Sequence, residues 1–489
     1  MFARRRLALS ALGAVFALYL ILLIPDSDAP VPPRPNHTPF AWNQDQYWSA
    51  LEQQFNAARK IGCDSLRIPI AAKLAIANAI LDSISVSSLA PDAAILSRME
   101  TSLFELGPAL GACPSRLPEY ITLTTRLRHV IKDQSRHWDM NSVTARQRMY
   151  RLLYGSRTAI EEVMLQSPDS LVPSLTLADD EPSQTPSATV LGVTIHSGDI
   201  LVSRGGAPTS ALIARGNDYP GNFSHVALVY VNDKTNVPSV IESHIERGAV
   251  ISTLDEYLKD TKLRVMVLRL RSDFPALRND PMLPHKAALY SYTRVMAGHI
   301  PYDFAMDFTD STKYFCSEVA SAAYQKVGVK LWMGISSMST PGVMSWLAAF
   351  GVRHFETQEP SDLEYDPQLR LVAEWRDPET LRKDHFDNAV TDVMLESAEA
   401  GERLGYDWYM LPVGRIAKTY SWILNRFGGV GPVPEGMSAT GALRDKWYSR
   451  KHDRIKSRLM VMADDFWRKY AYFPPFWDLV KLARQAQSE

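Results

Sequence analysis

Three residues in this 489-residue chain could act together on a carbonyl group: Cys316, His225 and Glu242. Cys316 lies in YFCSEVASAAYQKV (314–327), where a helix is expected to begin, with Asp310, Ser311 or Thr312 as its cap. Val319, Ala322, Ala323 and Val327 recur at helical spacing and give that helix an apolar face. A thiol at a helix N-terminus sits near the positive end of the backbone dipole, so a pKa below the ordinary value of about 8.5 and a reactive thiolate are predicted. First-turn N–H groups would be at hand for a developing oxyanion. Taken alone, the stretch fits equally a small cysteine buried in a core.

His225 opens the run HVALVYV after the loop ARGNDYPGNFS. At the mouth of a strand it can be met by a helix terminus from elsewhere, take the thiol proton and later protonate the leaving group. A histidine hydrogen-bonded for structure is the alternative. Glu242 and His244 share one face of SVIESHI (239–245), with Glu246 just beyond. Glu242 can orient an imidazole and fix its tautomer. In an apolar strand such a carboxylate is costly without a partner. Glu242, His244 and Glu246 could instead form a metal site, but that needs ligands the sequence does not supply, and no metal is expected.

These side chains must be held by strands. GDILVSR (198–204), HVALVYV (225–231), SVIESHI (239–245), GAVISTL (248–254) and RVMVLRL (264–270) are short, β-branched and bounded by turn residues. HVALVYV is apolar on both faces, as a central covered strand would be. HKAALYSYTRVMAG (285–298) reads as a helix between these strands and the cysteine helix, which makes an α+β domain.

The order GDI (198–200), SHVALVY (224–230), VIES (240–243), YDF (302–304) and YFCSEVASAAY (314–324) resembles the circularly permuted NlpC-type papain-like hydrolases, the YiiX-like branch. The resemblance covers roughly residues 190–330, and in that group the histidine precedes the cysteine. It implies a permuted papain-like domain, a small antiparallel sheet or barrel plus helices. It also implies Cys316 as nucleophile, His225 as base and Glu242 as the orienting third member. Asp199, Ser224, Tyr302 and Tyr314 match positions that line the pocket or support it. That group more often has a tyrosine directly before the cysteine; here Phe315 stands there. Peptide amides, or lipid acyl groups in the wider clan, are the implied substrates, and no cofactor is implied.

Around this domain the texture differs. Arg4, Arg5 and Arg6 precede an apolar run from Leu7 to Ile24, long enough as a helix to cross a bilayer at about 1.5 Å per residue. The positive-inside rule predicts a single-pass inner-membrane anchor over residues 7–24, with the bulk of the chain on the periplasmic side. A cleaved signal peptide is the alternative, although Ser27-x-Ala29 is a poor cleavage site. Either way the body is exported. Of three cysteines, Cys63 and Cys113 are then expected to pair, leaving Cys316 free; three reduced thiols are the alternative.

Residues 25–39 read as a proline-rich spacer holding the body off the membrane. Residues 40–166 read as a bundle of four to six helices, 167–189 as a linker, 190–359 as the papain-like domain and 360–489 as a helical, aromatic-rich region. Its clusters YDWYML, DKWYSRK and FWRKYAYFPPFW read as core, with a lipid-facing surface as the alternative. With 53 Lys and Arg against 54 Asp and Glu, the net charge of −1 leaves no basic excess for nucleic acid. No phosphate loop, HExxH or CxxC motif is present. The expected function is an anchored cysteine hydrolase or acyltransferase acting on a cell-wall peptide or a lipid or lipoprotein acyl group. The alternative is an inactive anchored scaffold.

Overall fold

A computed structural model describes residues 13–14, 16–33, 37–178 and 180–488. Residues 1–12, which include the three arginines and the start of the predicted span, lie outside the described residues; 16–22 are helical. Five helices follow: α1 (Asp45–Ile61), α2 (Cys63–Ser85), α3 (Ala94–Ala112), α4 (Leu117–Ser135) and α5 (Val143–Leu165). Their apolar stripes meet in one core containing Leu74, Leu81, Leu103, Leu127 and Leu153. Cys63 and Cys113 are bonded, with Cα atoms 5.0 Å apart, and Cys316 is the free cysteine. Among the described residues α2 alone is long and apolar enough to cross a membrane, by length and composition. Its Ile70, Leu74, Ala77 and Leu81 are nevertheless buried in the bundle.

The strands are β1 (Leu175–Leu177), β2 (Ser187–Val190), β3 (Val193–His196), β4 (Ile200–Gly205), β5 (His225–Val231), β6 (Pro238–His244), β7 (Gly248–Thr253), β8 (Lys262–Leu270), β9 (Ser336–Ser337), β10 (Glu356–Thr357) and β11 (Leu369–Trp375). Seven form one antiparallel sheet in the order β1-β11-β8-β4-β5-β6-β7, while β2–β3 and β9–β10 are separate pairs. The double-sided apolarity of HVALVYV is accounted for: Val226 and Leu228 enter one core cluster, Ala227 and Val229 another on the opposite face. The remaining helices are α6 (Pro208–Arg215), α7 (Leu254–Lys259), α8 (Leu283–Ala297), α9 (Glu318–Lys326), α10 (Pro341–Phe350), α11 (Pro378–Glu399), α12 (Leu411–Asn425), α13 (Ala439–Tyr470) and α14 (Phe476–Ser488). Helices α8 and α9 pack on the sheet face carrying Val226 and Leu228.

Three sequence expectations change. The sheet does not stop at residue 359, because β11, from the region read as helical, pairs with β8 from Leu369↔Leu270 to Trp375↔Val265. Nor is 167–189 only a linker, since β1 pairs with β11. Finally, the spacer does not stand off the body. Asp26 accepts the Thr440 N–H at 3.1 Å, the Ala29 N–H donates to Ala348 O at 3.3 Å, and the Phe40 N–H donates to Asp218 O at 2.9 Å.

The bundle is fastened to the sheet by buried ions. Glu161 of α5 accepts from Arg264 of β8 at 2.7 Å and from Arg376 at 3.0 Å, and Arg264 also reaches Asp384 of α11 at 2.6 Å. Burial would push the Glu161 carboxyl up, but the surrounding guanidiniums outweigh it and hold it down at about 2. Lys132 of α4 donates to the carbonyls of Asp366 and Leu369, both at 2.9 Å, beside β11.

Candidate active site

His225 is the first residue of β5, and Glu242 lies on the neighbouring β6, where it pairs with Ala227. This diagonal offset is within reach of long side chains. His225 Nε2 lies 2.9 Å from Glu242 Oε2. The other carboxylate oxygen accepts the Ser252 hydroxyl at 2.8 Å, and His244 Nε2 is 3.1 Å from it. Glu242 is 2% exposed. Its burial favours the neutral acid, but the hydrogen bond from His225 and the nearby His244 imidazole prevail and hold it well below the ordinary carboxylate range. Burial is also the main influence on His225 and pushes its imidazole down, against the pull of Glu242. With Nε2 engaged by the carboxylate, Nδ1 is the nitrogen left to exchange a proton.

Cys316 reaches the same place from the other side. The Ser243 hydroxyl of β6 donates to Tyr314 O at 2.6 Å, and the Tyr314 N–H donates to Pro301 O at 3.0 Å. These bonds lay the segment before the cysteine along the end of the sheet. The sulfur is met by the N–H groups of Val226, the residue after His225, and of Ser317. The backbone beside His225 thus lies at the sulfur, while thiol and imidazole share no hydrogen bond in this arrangement; catalytic bonds often tighten only with substrate present.

The helix begins two residues later than expected, at Glu318, with Ser317 at its cap position. Asp310 instead closes a turn onto Thr312 at 3.0 Å, and the Glu318 carboxyl accepts the Phe315 N–H at 2.9 Å. The predicted low thiol pKa does not hold either. Cys316 is 6% exposed, and burial first, then the nearby Glu359, push its thiol up to about 11 against the two N–H groups. Desolvation outweighs the helix dipole and favours the protonated thiol.

The supporting residues divide. Tyr302 is at the site: Gly248, at φ +72°, lets β7 approach Ile300 so closely that an added Cβ would lie 2.1 Å from its carbonyl oxygen, and the Ala249 N–H bonds that oxygen at 2.9 Å. The loop so held places the Tyr302 hydroxyl where burial, then the charges of Cys316 and Glu246, raise its pKa. Tyr302 also lines a cavity of about 510 Å³ with Pro301, Phe304 and the segment Asp26–Pro30. Asp199 is elsewhere. It sits before β4, at the end of that strand away from Ser203, the partner of His225, and is locked to Arg269 by two bonds of 2.8 Å. Ser224 spends its oxygen on the Gly205 N–H at 3.4 Å. Tyr314 packs under Arg294, 4.8 Å from its ring, with Ala249 and Ile300, and contributes only its backbone. Glu246 is not drawn to Glu242 and His244, and among the described residues no three His, Cys, Asp or Glu are arranged to hold a metal ion.

Sequence reasoning missed Ser252 and Glu359. Ser252 lies on β7 beside β6, and strand pairing could have suggested it. Glu359 carried no signal, because QEPSDLEY reads as a domain end. It is 4% exposed, and burial, then Asp362, raise its carboxyl to about 8. Its segment is stapled to the loop before His225 by Ser361, whose hydroxyl oxygen accepts the Phe223 N–H at 3.0 Å.

Residues 194–373 match the family described as permuted papain-like amidase enzyme, YaeF/YiiX, C92 family. That segment runs from β3 into β11 and contains His225, Glu242 and Cys316. No curated protein and no solved structure matches the chain.

Proposed function

We propose that this protein is a membrane-anchored cysteine hydrolase or acyltransferase that cleaves an amide or ester bond through Cys316, His225 and Glu242. The family match over 194–373 supports a cysteine hydrolase. The observation that carries the residue roles is the 2.9 Å contact between His225 and Glu242, with the Val226 N–H turned to the sulfur of Cys316.

In the proposed reaction the Cys316 thiol passes its proton to His225 Nδ1 as the sulfur attacks the carbonyl carbon. Glu242 stabilises the imidazolium that forms. Backbone N–H groups beside the sulfur hold the oxyanion. Collapse expels the amine or alkoxide, which takes the proton from the imidazolium and leaves an acyl thioester on Cys316. Water, or another acceptor, then gives a proton to His225 and attacks the thioester. The acid or the transferred acyl product leaves, and the thiol is restored.

The substrate is a cell-wall peptide or a lipid or lipoprotein acyl group, on the periplasmic side of an inner membrane entered through residues 7–24. Incubation with peptidoglycan fragments, with diacylated lipopeptides and with phospholipids, read by mass spectrometry, decides among them. New termini or free fatty acid are expected from wild type, with none from Cys316→Ala. The low exposure of Cys316, at 6%, is the observation that favours the second reading, an inactive scaffold. No turnover on any of these substrates, with a folded protein, would leave that reading standing.

A further inference from the structure

The aromatic-rich C-terminal region was expected to be core, yet its most apolar helix faces outward. In α12, Val413, Ile416, Tyr420 and Ile423 recur three and four residues apart, and Phe427 continues the row just past its end; each is between 45% and 85% exposed. Trp408, Tyr409 and Trp422 beside them are exposed by more than half. The opposite side of the helix is the packed one: Leu411 and Ser421 are buried, and Gly414 lies against Ala439 and Leu443. A stripe of this kind facing water is unusual on a soluble body.

Three observations say what covers it. The stripe is continuous with the emerging N-terminal helix: Arg415 of α12 donates to the carbonyl of Ile21 in its last turn, at 3.3 Å, and to that of Ile24 just past its end. Phe16, Leu18, Leu20 and Ile21 on that helix are exposed too. The charge is one-sided as well. Arg415, which also faces Asp26 at 3.5 Å, and Arg426 flank the stripe, and the sequence from 408 to 434 holds no Asp or Glu. Lastly, Trp and Tyr interleave with the aliphatic residues, and the Arg426 guanidinium sits 4.1 Å from the Trp422 ring centre. Aromatic, aliphatic and basic groups on one helix face are what a headgroup layer accepts.

We infer that α12, with the turn before it, is an interfacial helix that lies in the anionic headgroup layer of the same bilayer the N-terminal helix enters. This rests on the anchored reading above and adds to it a second, in-plane contact. The contact sets the orientation of the folded body. The cavity of about 510 Å³ that holds Tyr302 is walled by Asp26–Pro30, which follow the N-terminal helix, and by Gly436, which follows α12. Docking therefore turns this cavity, and the loop that carries Tyr302, towards the membrane surface.

The test uses the full chain in vesicles of phosphatidylcholine and phosphatidylglycerol. Nitroxide labels are placed by Ile416→Cys, Phe427→Cys or Lys234→Cys in a Cys316→Ala background; the last is a control on the exposed β5–β6 turn, at the far end of β5 from His225. Accessibility to oxygen and to a neutral nickel chelate is read by electron paramagnetic resonance. Labels at 416 and 427 should favour oxygen several-fold over the label at 234. Adding Ile423→Glu, an exposed change that spares the fold, should move the label at 427 towards water. Vesicle flotation with labels that report water overturns the docking and leaves the anchor standing. Labels shielded from both reagents, with or without vesicles, mean that a second copy covers the stripe, which also overturns it. Failure to float removes anchor and docking together.

Discussion

His225 Nε2 and Glu242 Oε2, on adjacent strands and 2.9 Å apart, form a fixed pair at the end of the sheet. Because the carboxylate is ionised, it accepts a hydrogen bond from Nε2–H and leaves the lone pair on Nδ1 for the thiol. Glu242→Gln should keep the fold and lower kcat by about 100- to 10,000-fold with little change in KM. Steady-state kinetics on the identified substrate check this; an unchanged kcat would reduce Glu242 to a structural role.

The buried thiol makes a prediction about pH. With its pKa pushed up to about 11, Cys316 should alkylate slowly at neutral pH. The rate should then rise about tenfold per pH unit towards that value, since only the thiolate reacts. Iodoacetamide labelling followed by peptide mass spectrometry gives the profile. A plateau already reached near pH 7 would mean a preformed thiolate–imidazolium pair.

The ionic anchorage of the bundle is tested at Glu161. Glu161→Gln leaves Arg264 and Arg376 short of a buried counter-charge and should destabilise the protein by about 3 to 5 kcal/mol. The folded pKa of Glu161, about 2, lies below its ordinary 4.5. Its contribution is therefore complete above pH 4.5 and fades as the pH falls towards 2. Thermal melts across that window should show a shallower acid loss in the variant than in wild type.

The Cys63–Cys113 bond closes a loop of 50 residues within the bundle. Replacing both with serine should cost up to roughly 4 kcal/mol by the chain-entropy argument and leave the chemistry at Cys316 intact. Denaturant unfolding and activity, measured on the same samples, separate the two effects.

What was legible in the sequence was local. The apolar run of HVALVYV, the alternation in SVIESHI and the helical spacing behind Cys316 each announce an element through a short-range period. What was not legible depends on partners far along the chain. Asp199 looked like a site residue until Arg269 claimed it, and Tyr314 until Arg294 covered its ring. Strand β11 was lost among helical patterns because its pairing with β8 spans about a hundred residues. The thiol was misjudged because a dipole argument needs only the helix start, whereas desolvation needs the whole fold. The aromatic clusters carry the same lesson: Trp408 is exposed and Tyr448 is buried, and composition alone cannot sort them.

The most direct test is to trap the acyl group. Wild-type protein is mixed with an activated acyl ester at neutral pH, quenched in acid and analysed by peptide mass spectrometry. The account predicts a single hydroxylamine-sensitive acyl adduct on Cys316, formed in wild type and abolished, or slowed at least as strongly as turnover, in His225→Ala. An adduct on another residue, or one on Cys316 that forms equally fast without His225, would contradict it.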